Sequence, residues 1–479
     1  MILRELLDGV DVISDYNGQI DIKGIKYDSR KVTSGDAFLC IKGFSVDGHR
    51  FAQEAVENGA SVVIAQDDVA VDGAEVVMVR DTRIAMARIA ANFYGHPSKD
   101  FVLIGVTGTN GKTTVTNIIR WVLRNLGYSV GLIGTINIAM DDEEIPSIHT
   151  TPESVDLQRI FKEMKDRGAH YVVMEVSSHS LALHRVDQCD FDVAVFTNLT
   201  QDHLDFHKTM EEYMKAKMRL FKMTKKSIVN VDDDYSDFFV QQANKPLYTY
   251  GINGGDFRAR NVVMTNGVEF DLYHSGFITP IKFPIPGKFS VYNALAAIAT
   301  LSALGFPVPN IAESLSTFPG VKGRCELVNC GTPYKVVIDY AHTPDGLENI
   351  LKSVREFTIN RLIVVFGCGG DRDKAKRPKM GEIAIRYADY TIITTDNPRS
   401  EDPQAIISDI LKGINGNEDK YKVIVDRKEA IKYALGMAKE GDVVLLAGKG
   451  HETYQILRDK TIPFDEREIV KSIVGGKNV

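Results

Sequence analysis

"GVTGTNGKTTVTNIIR", residues 105–120, follows the apolar run Phe101–Val102–Leu103–Ile104 and passes into a helical pattern. A buried strand that ends in a Gly-rich turn and opens a helix has the form of a phosphate-binding loop. Its glycines let backbone N–H groups close around phosphate oxygens, and the helix N-terminus adds positive potential. The common spacing is G-x-x-x-x-G-K-[ST]. Here Val106 stands where the first glycine belongs, and Gly105 comes one residue too early, so the loop is shortened. Its members are Gly108, Thr109, Asn110, Gly111, Lys112, Thr113 and Thr114. In such a loop Lys112 pairs with the β- and γ-phosphates and Thr113 offers its hydroxyl to Mg²⁺. A strand-to-helix turn that holds no ligand is the alternative.

The rest of the chain is compatible with a soluble enzyme. At 479 residues it exceeds one ordinary core and predicts two to four domains. Apolar residues make up 44% and charged residues 25%, and the net charge of −7 argues against a nucleic-acid surface. The five cysteines, Cys40, Cys189, Cys325, Cys330 and Cys368, show no metal-ligand spacing and read as buried thiols of a reducing compartment. The first residues, MILRELLDGVDV, make a poor signal peptide, and no apolar run reaches the ~18 residues of a membrane span. A cytoplasmic location is expected.

Outward from the loop, the chain reads as α/β throughout. Residues 1–98 alternate short strands and helices, as in "FAQEAVENGASVVIAQ", and "YGHPSKDF" (94–101) reads as a linker. From 99 to 325 come "FVLIGVTG", "SVGLIGTI", "YVVMEVSS", "VAVFTNL" and "KSIVNVDDD", separated by helices, the alternation of a parallel sheet. From 326 to 479, "YKVVIDYAH", "RLIVVFGCGGDRD", "YTIITTDNPRSEDP" and "DVVLLAGKGHE" are apolar runs that each end in a polar, mostly Gly-rich loop. Ligands of open α/β sheets collect beyond the carboxyl ends of strands, so these four loops are expected to point one way.

Two further stretches suggest a metal-nucleotide site. Glu175 closes an apolar strand, where a carboxylate is costly unless it meets a cation. "TNLTQDHLDFHKTMEEYMKAK" crowds Asp202, His203, Asp205 and His207 ahead of an amphipathic helix that places Tyr213, Lys217 and Leu220 at helical spacing. Taken alone, Glu175 has the alternative of a salt-bridged strand end, Lys217 that of a solvated helix lysine, and the acidic stretch that of a polar turn.

Together, "GTNGKTT", "MEVSSHS", "TNLTQDHLDFH" with "YMKAK", "NVDDD", "PGKFSVYNALAA", "GVKGRCE", "VVIDYAHTPDGL", "GKGHE" and the N-terminal "DSRKVTSGDAFLCIKG" resemble the Mur ligase family, over nearly the whole chain. These are ATP-dependent amide-forming enzymes of peptidoglycan precursor synthesis, and the shortened loop is that family's form. The resemblance implies three domains: an N-terminal UDP-binding α/β domain (1–98), a central P-loop ATPase-like parallel-sheet domain (99–325) and a C-terminal Rossmann-like amino-acid-binding domain (326–479). It is strongest to members that extend UDP-N-acetylmuramoyl-L-alanyl-D-glutamate by the third stem residue. "TTDNPRSEDP" resembles those that add meso-diaminopimelate. A monomer without nucleic-acid or membrane partners is expected. Because the phosphate loop and amino-acid loops lie in different domains, reaction is expected to require domain closure.

Residue roles follow from the same resemblance. Lys112, Glu175, His203 and Lys217 are implied as catalytic. Thr113, Glu175, His203 and Lys217, the last as a side-chain carbamate, are placed near Mg²⁺. Asn293, Arg324 and Asp339 join the phosphate loop as ATP contacts, although Ser290 stands where the family often has Asn. Tyr27, Ser29, Phe44, Ser45, Val46, Thr150, Thr151, Ser177 and Arg185 are implied for the UDP-muramoyl peptide. His342, Arg372, Asp396, Asn397, Pro398, Arg399, Gly448 and Glu452 are implied for the amino acid, with Arg377 close enough to be confused with Arg372. Diaminopimelate differs from lysine by one distal carboxylate, which a forked arginine reads in bidentate fashion. Arg399 therefore separates this reading from the same reaction with L-lysine. Folylpolyglutamate synthase shares the central architecture but has no use for the N-terminal "DSR…GD" region. A non-catalytic nucleotide-binding scaffold is disfavoured by the intact Lys112, Thr113, Glu175, His203 and Lys217.

Overall fold

The structure is a computed structural model and describes residues 1–43, 46–264, 267–414, 416 and 418–475. Two compact units divide the chain. One comprises Met1–Phe257 and Ala296–Asn310; the other comprises Arg258–Leu295 and the chain from Ile311 onward.

The first unit contains two sheets. Strands β1 (Gly24–Lys26), β2 (Asp36–Leu39), β3 (Ala60–Ala65) and β4 (Glu75–Met78) form an all-parallel sheet in sequential order. Helix Thr82–Tyr94 packs Ala85, Met86, Ile89 and Ala90 into its core beside Leu39, Ile64 and Val77. Asp81 starts that helix by accepting from the N–H groups of Arg83 (2.8 Å) and Ile84 (3.1 Å), and Gly95 ends it at φ 75°. The stretch read as a linker is instead a packed 3₁₀ turn, Pro97–Lys99, with Pro97 and Ser98 buried.

The central sheet adds β5 (Val102–Thr107), β6 (Val130–Ile133), β7 (Asn137–Met140), β8 (Glu143–Pro146), β9 (Tyr171–Glu175), β10 (Phe191–Phe196), β11 (Thr224–Asn230) and β12 (Leu247–Gly251). Its order is β12-β11-β10-β5-β9-β6-β7-β8, parallel from β12 to β6 and antiparallel beyond. The chain leaves β5 toward one edge and β10 lies on its other side, so the strand order reverses at β5 and opens a crevice at its carboxyl end. Helix Lys112–Asn125 follows β5 and buries Val115, Ile118, Ile119, Val122 and Leu123, one continuous apolar face.

The second unit begins with an antiparallel meander, β13 (Phe257–Met264), β14 (Val268–His274) and β15 (Phe277–Phe283). Its main sheet has β16 (Glu326–Leu327), β17 (Lys335–Asp339), β18 (Leu362–Phe366), β19 (Tyr390–Ile393), β20 (Tyr421–Val423) and β21 (Val443–Ala447) in the order β16-β17-β21-β18-β19-β20. Only β16 is antiparallel. The interior strands are unbroken apolar runs because both faces are covered, one by Leu347, Leu351, Met380 and Ile410, the other by Ile431, Leu435, Val470 and Val474. Four of the five cysteines are buried thiols, as read, and Cys330 is half-buried. Among the described residues no helix is long and apolar enough to cross a membrane.

A fully buried ion pair, Arg427 Nε to Glu466 Oε1 at 2.8 Å, ties helix Arg427–Met437 to helix Glu466–Gly475, and Arg427 also donates to the carbonyl of Ala447 at the end of β21. Removing one partner strands the other charge in the interior. Glu466→Gln is expected to destabilise by about 3–5 kcal/mol, seen as a lower thermal transition, whereas Glu468→Gln on the exposed side of the same helix should change little.

Candidate active site

The phosphate loop is built against the exit of β10. Thr109 N–H donates to the Asn198 carbonyl (2.9 Å), Asn110 N–H to Asn198 Oδ1 (2.9 Å), and Thr197 Oγ1 to the Asn110 carbonyl (2.6 Å). Gly108 adopts φ 151°, and a Cβ there would fall 1.9 Å from Thr197 Oγ1, so only glycine lets the loop lie this close. Lys112 Nζ folds over the loop and donates to the carbonyls of Gly108 and Thr109, both at 2.9 Å.

Glu175, the last residue of β9, is buried and its carboxylate accepts three hydrogen bonds from two neighbours. Thr113 Oγ1 donates to its Oε2 (3.0 Å), Thr135 N–H to its Oε1 (2.8 Å) and Thr135 Oγ1 to its Oε2 (3.0 Å). Its backbone carbonyl accepts from Thr151 Oγ1 (2.8 Å), which in turn accepts from Ser177 N–H (3.2 Å). Thr150 Oγ1 lies 3.1 Å from Thr135 Oγ1. Thr113, Glu175, Thr150, Thr151 and Ser177 therefore share one locality. Hydroxyl and carboxylate oxygens 3.0 Å apart, one in the first turn of helix Lys112–Asn125 and the other at the end of β9, are a donor set that suits a hard cation such as Mg²⁺.

Helix Met210–Lys222 is started by Thr209, whose Oγ1 accepts from Glu212 N–H (3.2 Å), and it turns Tyr213, Lys217 and Leu220 inward. Lys217 is not a solvated lysine: it is 1% exposed, donates to the Gly108 carbonyl at 2.9 Å and lies 4.4 Å above the Tyr213 ring. Burial, and then the nearby Lys112 ammonium, push its pKa well below the ordinary lysine value. Tyr213 OH meets Thr109 Oγ1 at 3.1 Å. His203 sits at a left-handed backbone position (φ 54°), 3.4 Å from Asp202, with its ring edge-on to Tyr213 and His179. His207 is buried, its Nε2 2.8 Å from Ser178 Oγ. Lys112, Lys217 and Tyr213 thus all contact one loop at Gly108 and Thr109, with His203 packed beside Tyr213.

The residues expected at the UDP-muramoyl peptide are partly engaged with one another. Tyr27 OH donates to Asp156, and burial together with that carboxylate raises its pKa. Ser29 is buried in the turn Ser29–Lys31, and Val46 is exposed. Arg185 pairs with Glu153 (2.7 Å) and donates to the Thr151 carbonyl (3.0 Å), and Arg83 reaches the same Glu153 at 3.5 Å. Phe44 and Ser45 lie outside the described residues.

In the second unit the four loops do meet at one sheet edge. Asp339, at the end of β17, accepts from Cys325 N–H (2.7 Å) and Ala341 N–H (2.9 Å); burial raises its pKa and Arg324 opposes the rise. Arg324 lies 5.1 Å over the Tyr340 ring, and Asn293 is buried in helix Lys288–Ala303. His342 is exposed and donates from Nδ1 to the Tyr340 carbonyl (2.8 Å). Arg399, at φ 51°, donates to the Gly370 carbonyl (2.9 Å), a left-handed arginine that its surroundings hold in place. Asn397, which follows Asp396 and precedes buried Pro398, donates to Glu452 Oε2 (2.8 Å), and Gly448 lies against Asp396.

Arg372 and Arg377 separate cleanly. Arg372 is exposed and, among the described residues, donates only to the Asp371 carbonyl (3.1 Å), whereas Arg377 is fully buried and clamps Glu401 (2.8 and 3.0 Å) and Asp409 (3.0 Å). Arg372 is therefore free to turn toward a ligand and Arg377 is a structural clamp. Sequence reasoning passed over two residues here. Lys449 is fully buried among Asp396, Asn397 and Glu452, and His451 has a buried Nδ1 that meets no hydrogen-bond partner among the described residues. Burial and the flanking Arg324 and Arg467 hold His451 down to about 4, so it is neutral at neutral pH. A lysine in "GKGHE" carries no burial signal of its own; its neighbours' charges are the only hint.

Family models match in all three regions: the Mur ligase family catalytic domain over residues 21–94, the middle domain over 106–301 and the glutamate ligase domain over 323–450. The UDP-N-acetylmuramoyl-L-alanyl-D-glutamate--2,6-diaminopimelate ligase of Caldanaerobacter subterraneus subsp. tengcongensis is 52% identical, with 99% of each chain covered. The chain belongs to the Mur ligase family. The Clostridioides difficile ligase of the same name is 50% identical over 98% of each chain. A solved structure of a ligase of that name superposes with TM-score 0.74 and 32% identity, covering 100% of this chain and 99% of the other. The architecture is accordingly the three-domain α/β Mur ligase fold, and the chain is an ATP-dependent ligase.

Two outcomes follow from this geometry. Gly108→Ala is expected to displace the loop and weaken ATP binding by at least about tenfold with the thermal transition retained, as read by nucleotide titration calorimetry. The Arg377 guanidinium holds the Glu401 carboxyl down to about 2, from an ordinary 4.5. Its folded value is depressed, so the stabilisation is fully present above pH 4.5 and is lost as pH falls through about 2. Acid unfolding monitored by circular dichroism should be less steep in Glu401→Gln across that window.

Proposed function

We propose that this ligase joins meso-diaminopimelate to the γ-carboxylate of D-glutamate in UDP-N-acetylmuramoyl-L-alanyl-D-glutamate, at the expense of ATP, in peptidoglycan precursor synthesis. The observation that carries the choice of amino acid is the grouping of a cation, Arg399, with Asp396, Asn397 and Glu452 at one sheet edge. Such a grouping suits a distal group bearing both a carboxylate and an ammonium. The names of the relatives at about half identity support the same substrates.

The chemistry divides among the residues as follows. The γ-carboxylate oxygen attacks the γ-phosphorus of ATP, ADP leaves, and an acyl phosphate forms. The amine nitrogen of diaminopimelate then adds to the acyl carbon, a tetrahedral intermediate collapses, inorganic phosphate leaves, and the nitrogen loses a proton. No protein nucleophile is required, so positioning and charge neutralisation supply the rate. The Gly108–Thr114 loop and Lys112 hold the phosphates; Lys112, already within reach of the loop carbonyls, has only to swing from them to phosphate oxygens. Asn293, Arg324 and Asp339 serve the nucleoside. Tyr27, Ser29, Val46, Thr150, Thr151, Ser177 and Arg185 serve the UDP-muramoyl peptide, and His342, Arg372, Pro398 and Gly448 complete the amino-acid pocket. Thr113, Glu175 and His203 would hold Mg²⁺, which supplies charge neutralisation at the phosphates. Lys217 fits that group only after carboxylation, and burial favours the neutral amine that reacts with carbon dioxide.

The test is phosphate release with ATP, Mg²⁺ and UDP-N-acetylmuramoyl-L-alanyl-D-glutamate, supplied with either meso-diaminopimelate or L-lysine. Release with diaminopimelate alone is expected, and release with lysine instead would overturn the assignment. Arg399→Ala should lower kcat/KM for diaminopimelate on the order of a hundredfold. Lys217→Ala should abolish ligation, and the unaltered protein in ¹³C-bicarbonate should show a carbamate carbon resonance that Lys217→Ala lacks.

A further inference from the structure

Lys449 has a fully buried side chain, and its Nζ faces Asn397 Oδ1 at 3.1 Å, Glu452 Oε2 at 3.2 Å and Asp396 Oδ1 at 3.4 Å. Its three donors thus meet three acceptors, each on a residue of the proposed amino-acid pocket. Tyr454 and Phe464 close over it, each ring centre 5.9 Å away. The amide of Asn397 is fixed by the same arrangement, since its oxygen also accepts from Ile456 N–H (2.9 Å) and its nitrogen donates to Glu452 (2.8 Å). A buried ammonium costs several kcal/mol unless paired, and a lysine placed only to fill space would be replaced by methionine at no loss.

The charges decide what this cation does. Asp396 and Glu452 contribute two negative charges and Lys449 one positive, so the buried cluster keeps one net negative charge, while the cations Arg399 and Arg372 stand apart from it in the proposed pocket. The distal end of diaminopimelate carries one carboxylate and one ammonium, whereas the distal end of L-lysine is a lone cation. We propose that Lys449 determines specificity by neutralising one of the two carboxylates, so that the pocket offers a single net negative charge to the distal ammonium while Arg399 takes the distal carboxylate. Without it, the cluster carries both negative charges and favours a lone ammonium. This rests on reading these loops as the diaminopimelate site.

The experiment compares kcat/KM for meso-diaminopimelate and L-lysine in the full-length protein and in Lys449→Gln, which keeps polar contacts but removes the charge. The ratio of the two constants should fall by about tenfold or more, through KM for diaminopimelate rather than through KM for ATP. An equal loss for both substrates is what a purely structural lysine gives, and it would overturn the proposal. The conservative variant Lys449→Arg retains the charge and should keep most of the ratio. If Lys449→Gln does not fold, a Lys449→Arg protein that folds but has lost its preference for diaminopimelate overturns the proposal by itself. Failure of the underlying reading looks different, because the unaltered protein would then show no preference for diaminopimelate at all.

Discussion

Everything near the phosphate loop hangs on one buried carboxylate. Glu175 ends β9 inside the protein, and its oxygens and carbonyl are met by Thr113, Thr135 and Thr151, which belong to three different segments. An acid in that position without partners would be expelled or protonated. With them it registers the first turn of helix Lys112–Asn125, the exit of β6 and the loop at residue 150 against one another. Gly134 is part of that constraint, since a Cβ there would fall 2.6 Å from Glu175 Oε1. The proposed nucleotide site would draw on these groups, the Thr113 hydroxyl and Glu175 carboxylate facing a cation and Lys112, now on the loop carbonyls, facing phosphate.

The second unit solves a related problem by a different route. The residues of its proposed pocket are held by a buried cation, Lys449, and by the strained backbone of Arg399. Beside them Arg377 spends its whole charge on Glu401 and Asp409. Two arginines five residues apart thus do opposite work: one locks the loop, and the other is left at its surface. Spacing cannot tell them apart, because the distinction lies in which carboxylates the fold brings alongside.

Much of this was legible in the residues. The buried parallel strands announce themselves as apolar runs, and the loops that close them carry the glycines, acids and amides. The features that escaped are those whose signal is diluted by solvent. The antiparallel strands β13–β15 are half-exposed and polar on one face, and β8 is exposed throughout, so no apolar run marks them. Lys217 and Lys449 sit in sequences indistinguishable from solvated helix and loop, and their burial is set by partners far along the chain. The tie between Tyr27 and Asp156 spans 129 residues and has no local trace.

The order of strands in the second unit has a consequence for how the protein is made. β21 lies between β17 and β18, yet it is synthesised after both, about a hundred residues beyond the first. Until Val443–Ala447 leaves the ribosome, β17 and β18 present naked edges to each other across an empty slot, and such edges invite pairing with other chains. The nascent unit therefore cannot close from its N-terminal side, and the same late segment delivers Gly448, Lys449 and Glu452. Completion of the sheet and completion of the pocket become a single event, so a chain interrupted before this strand should be prone to aggregation as well as inactive.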